Sequence, residues 1–150
     1  MVKNIPVSKN NNSKIAIIAI HGWKGNLSSM EHVANALNIN YAQWTFIQGP
    51  YTAGDNKYSW FERSEENRWK YQESFDLLHK TILDINQNGF PKSKIFLLGF
   101  SQGACLAMEF IIRQKFSIGG IIPIAGFIGK KDRFKNCLLY TSDAADDANC

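Results

Sequence analysis

The sequence predicts an α/β fold, a mostly parallel sheet flanked by helices. Three observations carry this. First, short apolar runs without alternation recur: "KIAIIAI" (14–20), "SKIFLLG" (93–99) and "IGGIIPIAG" (118–126). A half-buried strand alternates; a continuous run fits a strand buried on both faces of a parallel sheet. Second, the segments between runs place apolar residues at helical spacing. Third, strand and helix signals take turns along the chain, which is the order of a parallel sheet with helices on its faces.

The elements follow in order. Residues 1–14 are a polar lead-in, with a short strand predicted around Ile5–Val7. The first buried strand ends in "HGWKGN". Ser28 and Glu31 have capping-box spacing, and Met30, Val33, Ala34 and Leu37 then predict a short amphipathic helix. "WTFIQGP" (44–50) reads as a second short strand. The loop after it, "YTAGDNKYSWFERS", is too aromatic for a simple linker, and long ordered loops are often functional. A helix is predicted from Glu65, with Tyr71, Phe75, Leu78, Ile82 and Ile85 as one apolar stripe. Gly89 and Pro91 stop it. After the strand at 93–99, a helix is predicted with Ala104, Cys105, Met108, Ile111 and Ile112 on its apolar side. The run at 118–126 is the fourth strand.

At 150 residues the chain is one domain at most, with enough length for a sizeable core. No apolar run approaches a membrane span. The polar start has no apolar signal core, so the expected location is cytoplasmic. From Cys137 the chain reads "CLLYTSDAADDANC". This resembles the in-frame translation of a transposase adapter used for sequencing libraries, from Cys137 to about Asp147. The competing reading is a genuine acidic tail. Setting the stretch aside removes Cys137 and Cys150 and leaves Cys105 as the only cysteine, so no disulfide framework is expected. It also removes Asp143, Asp146 and Asp147, which raises the formal charge from +4 to +7. The basic residues are scattered apart from "GKKDRFK" (129–135), and no aromatic-basic platform is seen. No nucleic-acid partner is expected.

The stretch "LLGFSQGA" (97–104) contains G-x-S-x-G between an apolar strand and an amphipathic helix. In that context the serine sits on a strained tight turn, and small neighbours let strand and helix approach closely. Ser101 is the candidate nucleophile. The following helix aims its first N–H groups at the site, so the backbone of Gln102 can help hold an oxyanion. The competing reading is a helix N-cap serine in a ligand-binding domain. His21-Gly22-Trp23 follows the first strand, where a second oxyanion donor is expected from the N–H of Trp23. His21 is not assigned as the base, because in such enzymes the base follows the nucleophile in the chain. A shaping role by hydrogen bonding suits it better. His32 and His79 lie on predicted helices and read as surface or packing residues.

"HGWKGN", "YSWFE", "GFSQGACLAMEF" and "IGGIIPIAGFI", in this order, resemble the phospholipase/carboxylesterase family of α/β-hydrolases, the group that includes acyl-protein thioesterases. The similarity spans about residues 14 to 128. It implies a partial α/β-hydrolase fold over residues 1–136 with its last strands missing; the adapter resemblance makes 137–150 a non-native tail. It implies Ser101 as nucleophile, the Trp23 and Gln102 amides as oxyanion hole, the Gln102 side chain as a support for the first loop, and Trp60 and Phe61 near the acyl pocket. Ordinary core packing is the competing reading for the last two. Two departures stand out. Trp23-Lys24 replaces a small or aliphatic residue and a glycine, implying a different pocket entrance. Glu62 replaces the acid of W-F-D.

The implied reaction is hydrolysis of a small carboxylic ester or thioester through an acyl-enzyme, with no metal and no cofactor. In the family the catalytic Asp and His follow later strands. No histidine follows His79 here, and Asp132 lies too close to the fourth strand. The chain is therefore expected to be a nearly inactive fragment with an exposed sheet edge prone to aggregation. The alternatives are a non-catalytic binding module and a pseudo-hydrolase acting through interactions. Substrate identity and oligomeric state are left open.

Overall fold

A computed structural model describes residues 12–66, 68–114 and 117–127. Its core is a four-stranded parallel sheet. The strands are β1 (Ile15–Ile20), β2 (Ala42–Ile47), β7 (Ile95–Phe100) and β8 (Gly120–Ile124), in the spatial order β2-β1-β7-β8. Ile17 pairs with Trp44 on one side and Phe96 on the other, and Leu98 pairs with Ile122. The strand at the middle of the sheet is the Ile-rich β1, buried on both faces. Its alternate side chains feed two cores. Ala16, Ile18 and Ile20 face one layer; Ile17 and Ala19 face the other.

The helix α1 (Leu27–Leu37) covers the Ile17 face through Met30 and Ala34. The helices α2 (Gln72–Gln87) and α3 (Gln102–Gln114) cover the Ile18 face. Phe75 of α2 meets Phe110 of α3 edge-on, with ring centroids 5.4 Å apart, and this contact joins the two helices over the sheet. The predicted α2 stripe is present: Phe75, Leu78, Ile82 and Ile85 are all buried.

Four local expectations change. The α1 cap is not the Ser28/Glu31 pair. Asn26 caps, accepting from the N–H of Ser29, while the Ser29 hydroxyl accepts from the N–H of Asn26. Asn is as good a cap as Ser, and the turn after Gly25 brings it into place. Next, α2 begins at Gln72 rather than Glu65. The intervening residues form a hairpin of β5 (Glu62–Arg63) and β6 (Trp69–Lys70), held by the Phe61–Trp69 edge contact and an exposed Lys70–Glu62 pair. Cross-strand pairing takes residues that a helical period would also have accepted. The aromatic loop is likewise not irregular throughout, since β3 (Tyr51–Thr52) and β4 (Tyr58–Ser59) make a second small hairpin. Last, the buried side of α3 is Ala104, Leu106, Ala107 and Phe110, while Cys105, Met108, Ile111 and Ile112 are only half-buried. Both sides of this helix are apolar, so periodicity alone fixes no phase. The predicted strand at Ile5–Val7, Asp132, and the boundary at 136/137 with its tail all lie outside the described residues.

Cover is uneven. Among the described residues β8 has a neighbour on one side only, and Phe100, Ile122 and Ile124 are exposed on the face that α1 covers elsewhere. The phase of α3 can be tested by denaturation. Phe110→Ala should cost about 3–5 kcal/mol, as deletion of a fully buried aromatic does, whereas Ile112→Ala should cost about 1 kcal/mol or less. Equal costs would reverse the assignment of the buried side.

Candidate active site

The carboxyl ends of β1, β7 and β8 meet at Ser101. In open parallel sheets this is the end where ligands bind. The turn at Ser101 has φ of 50°, the left-handed region that a non-glycine residue occupies at a cost of about 1–3 kcal/mol. Two other residues without an amide side chain share that region: Lys24, after β1, and Ala125, after β8, with φ of 60° and 52°. Backbone strain is thus gathered at the ends of three neighbouring strands. The Ser101 N–H donates to Ile124 O at 2.8 Å, which ties the turn to β8.

Two glycines make the turn possible. A Cβ at Gly99 would lie 2.5 Å from the Gly103 carbonyl and 2.6 Å from Ala104 N, so β7 rests directly on the first turn of α3. A Cβ at Gly103 would overlap the Ile20 carbonyl oxygen and lie 2.6 Å from His21 O. Here α3 begins in contact with the end of β1. The loop after β1 therefore runs alongside the serine, and a Cβ at Gly22 would lie 3.5 Å from Ser101 Cβ.

The two predicted oxyanion donors are brought to this corner. Trp23 is the next residue of that loop, and Gln102 is the first residue of α3. Among the described residues neither backbone N–H has a backbone hydrogen-bond partner. Lys24 N–H donates to Tyr58 O at 2.9 Å and Gly25 N–H to Gly22 O at 3.0 Å, so the loop is bonded on either side of Trp23. The Trp23 indole is 61% exposed, with the Lys24 ammonium 4.4 Å over its ring.

His21 has no freedom to act as a base. It is fully buried. Its Nε2 accepts from Gly49 N–H at 2.9 Å, which leaves the proton on Nδ1, donated to Gly22 O at 2.7 Å. Burial holds the imidazole below its ordinary value, and the Gly22 carbonyl only partly opposes this. His32 on α1 and His79 on α2 are exposed.

Trp60 is also fully buried. Its indole N–H donates to His21 O at 2.7 Å, and its ring lies 4.8 Å from the imidazole. Its carbonyl accepts from the Ser74 hydroxyl at 2.7 Å, and its N–H donates to the Gln102 side chain at 2.9 Å. Phe61, the other residue predicted beside an acyl pocket, is half-buried, with Trp69 edge-on at 6.4 Å. Of the two, only Phe61 is partly exposed, and it packs against the core cluster that contains Trp60. Sequence reading missed Ser59, Gly49 and Ser74, whose contacts join residues from 14 to 43 positions apart. Only the Y-S-W-F signature pointed near them.

A shallow groove is lined by Tyr51, Trp69, Lys70, Tyr71, Gln72 and Glu73, and Ser101 is not among its lining residues. Burial, and next the Glu73 carboxylate, push the Tyr51 phenol up. Among the described residues no group of three or more His, Cys, Asp or Glu side chains could hold a metal ion. None of the described helices is long and apolar enough to cross a membrane.

The sequence profile of a family described as Phospholipase/Carboxylesterase matches residues 3–144. An acyl-protein thioesterase 1 of Debaryomyces hansenii is 27% identical over 135 residues, covering 77% of this chain and 58% of that protein. A lysophospholipase-like protein 1 of Mus musculus is 28% identical over 140 residues, covering 83% and 59%. A crystal structure of a phospholipase/carboxylesterase from Dyadobacter fermentans superposes with a TM-score of 0.62 at 26% identity, over 85% of this chain and 59% of that one. The chain thus spans less than two thirds of these relatives.

The state of His21 sets a pH dependence. Its folded-state pKa is depressed, so the unfolded chain binds the proton more readily. Its contribution to stability is complete above about pH 6.5 and is lost as pH falls from there through the lower folded-state value. Urea midpoints measured from about pH 7.5 down to about pH 5 should therefore fall. The fall should be smaller in His21→Gln. Identical pH slopes would remove His21 from the account. Gly103→Ala should be destabilising by at least about 2 kcal/mol, since the added methyl meets backbone.

Proposed function

Because the chain belongs to the phospholipase/carboxylesterase family of α/β-hydrolases, we propose that Ser101 is the nucleophile of a serine hydrolase acting on carboxylic esters or thioesters. The observation that carries the reading is the left-handed turn at Ser101, pressed between β7, α3 and the loop after β1. An N-cap serine has an extended backbone and accepts an N–H with its side chain. Ser101 has φ of 50°, not an extended backbone. That favours the nucleophile over the cap, and hence over a simple binding module.

In the proposed reaction the Ser101 Oγ forms a bond to the substrate carbonyl carbon while a base takes its proton. The carbonyl π electrons move to oxygen, and the Trp23 and Gln102 N–H groups receive that charge. Removing one such donor typically costs on the order of a hundredfold or more. Collapse of the intermediate expels the alcohol or thiol, which takes the proton, and leaves an acyl-serine. Water then repeats the sequence and releases the acid. The acyl chain would lie against Phe61.

The base is not among the described residues. His21 is neutral, buried and bonded at both nitrogens. No histidine follows His79 in the chain. We place base and carboxylate in sequence corresponding to the part of the relatives this chain does not span. The 150-residue chain by itself should then be nearly inactive, since triad members act as a unit and loss of the base costs several orders of magnitude.

Two measurements test this. A longer reading frame from the same source should continue past residue 136 with a strand ending in Asp and, later, a histidine. A frame that stops after Cys150 would leave the pseudo-hydrolase. The full-length protein should react with a serine-directed fluorophosphonate, and Ser101→Ala should not; equal labelling of both would refute the nucleophile assignment.

A further inference from the structure

We propose that Ser59 and the Gln102 side chain are positioning residues that set the distance between the two oxyanion donors. The proposal rests on the reading of the Trp23 and Gln102 amides as the oxyanion hole.

Gln102 serves two neighbourhoods. Its backbone N–H belongs to the turn of Ser101. Its side chain crosses to residues 59–61. There Oε1 accepts the Trp60 N–H at 2.9 Å, and Nε2 donates to Ser59 Oγ at 3.1 Å. The Ser59 hydroxyl has one proton, and it goes to Phe61 O at 2.6 Å. Its lone pairs are left for Gln102 Nε2 and for Phe61 N–H, the latter at 3.3 Å. This pattern fixes the amide orientation. Turned over, Gln102 would present an NH2 to the Trp60 N–H, donor against donor.

The path continues from Trp60. Its indole N–H donates to His21 O at 2.7 Å, and Trp23 lies two residues further on. The same His21 carbonyl is the one that Gly103 abuts. So the two donors lie on a closed circuit. One arm is direct contact, Gln102–Gly103 against His21. The other runs Gln102–Trp60–His21, with Ser59 holding the amide in place. Both Ser59 and Trp60 are buried, so water cannot replace a lost partner cheaply. An oxyanion hole works only when its donors meet the developing charge at hydrogen-bond distance. Displacing a group by about 1 Å can cost about a hundredfold. A device that fixes one donor against the other therefore acts on the transition state and leaves substrate binding alone.

The test uses the full-length protein and hydrolysis of p-nitrophenyl acetate, with active sites counted by end-point fluorophosphonate labelling. Gln102→Ala keeps the backbone donor and removes only the side chain. It and Ser59→Ala should lower kcat per labelled site about tenfold to a hundredfold, with KM changed by no more than about twofold. Ser59→Thr, which restores a hydroxyl, should recover most of the loss. Unchanged kcat per site, or a rise in KM alone, would overturn the proposal, and so would a lowered melting temperature with normal turnover. If Gln102→Ala does not fold, Gln102→Glu carries the test, because it keeps an acceptor for the Trp60 N–H and removes the donor to Ser59. Ser101→Ala keeps the two readings apart. Hydrolysis surviving in that variant refutes the nucleophile, whereas loss there with normal turnover in Gln102→Ala refutes only the positioning role.

Discussion

The contact of Gly103 with the carbonyls of Ile20 and His21 is the constraint on which the site depends. It brings the start of a helix onto the end of a neighbouring strand, backbone to backbone. Any side chain at position 103 would push them apart. Beside this contact Ser101 adopts a left-handed turn. The loop after β1 passes close to the serine and carries a second left-handed residue, Lys24. The sheet, the helix start and the loop are one object at this point. A change in any of the three moves the others.

Around that contact the protein has placed its most buried polar groups. His21, Ser59 and Ser74 are inside the core, and each is hydrogen-bonded. Buried polar groups cost free energy unless they are paired, so a half-made network would weaken the fold. The complete one specifies a single arrangement of loop and helix. It also explains why a histidine beside a candidate nucleophile is not its base. The ring is used as a two-ended brace between Gly22 and Gly49, and it can serve that way only while neutral.

Much of this was legible in the sequence. The buried strands announced themselves by unbroken apolar runs, because a strand covered on both faces has no polar side to show. The turn at Ser101 was legible because glycines at 99 and 103 flank a serine between strand and helix. The α3 phase was not legible: Leu106, Ala107 and Phe110 compete with Cys105, Met108 and Ile112, and only packing against α2 decides. Nor was the start of α2, where Trp69 and Lys70 pair across a hairpin that begins at Glu62. The family resemblance implied that the Gln102 side chain supports the first loop, but its contact with Ser59 was hidden for a different reason. Ser59 and Gln102 are 43 residues apart, and nothing local in either position signals the other. Contacts of that kind belong to the tertiary structure alone.

One bond links the site to an edge of the sheet. Ser101 N–H donates to Ile124, on a strand that among the described residues has a neighbour on one side and exposed apolar side chains on its face. Opening of a protein begins where few contacts hold an element in place, and it spreads through cooperative units. Among the described residues β8 is paired on one side, while β1 is paired on both. The serine turn sits on the seam between them. Its geometry is held from the β1 side by close-packed backbone and from the β8 side by one backbone hydrogen bond. The conformation of the Ser101 turn is thereby tied to the rim of the sheet as well as to its middle.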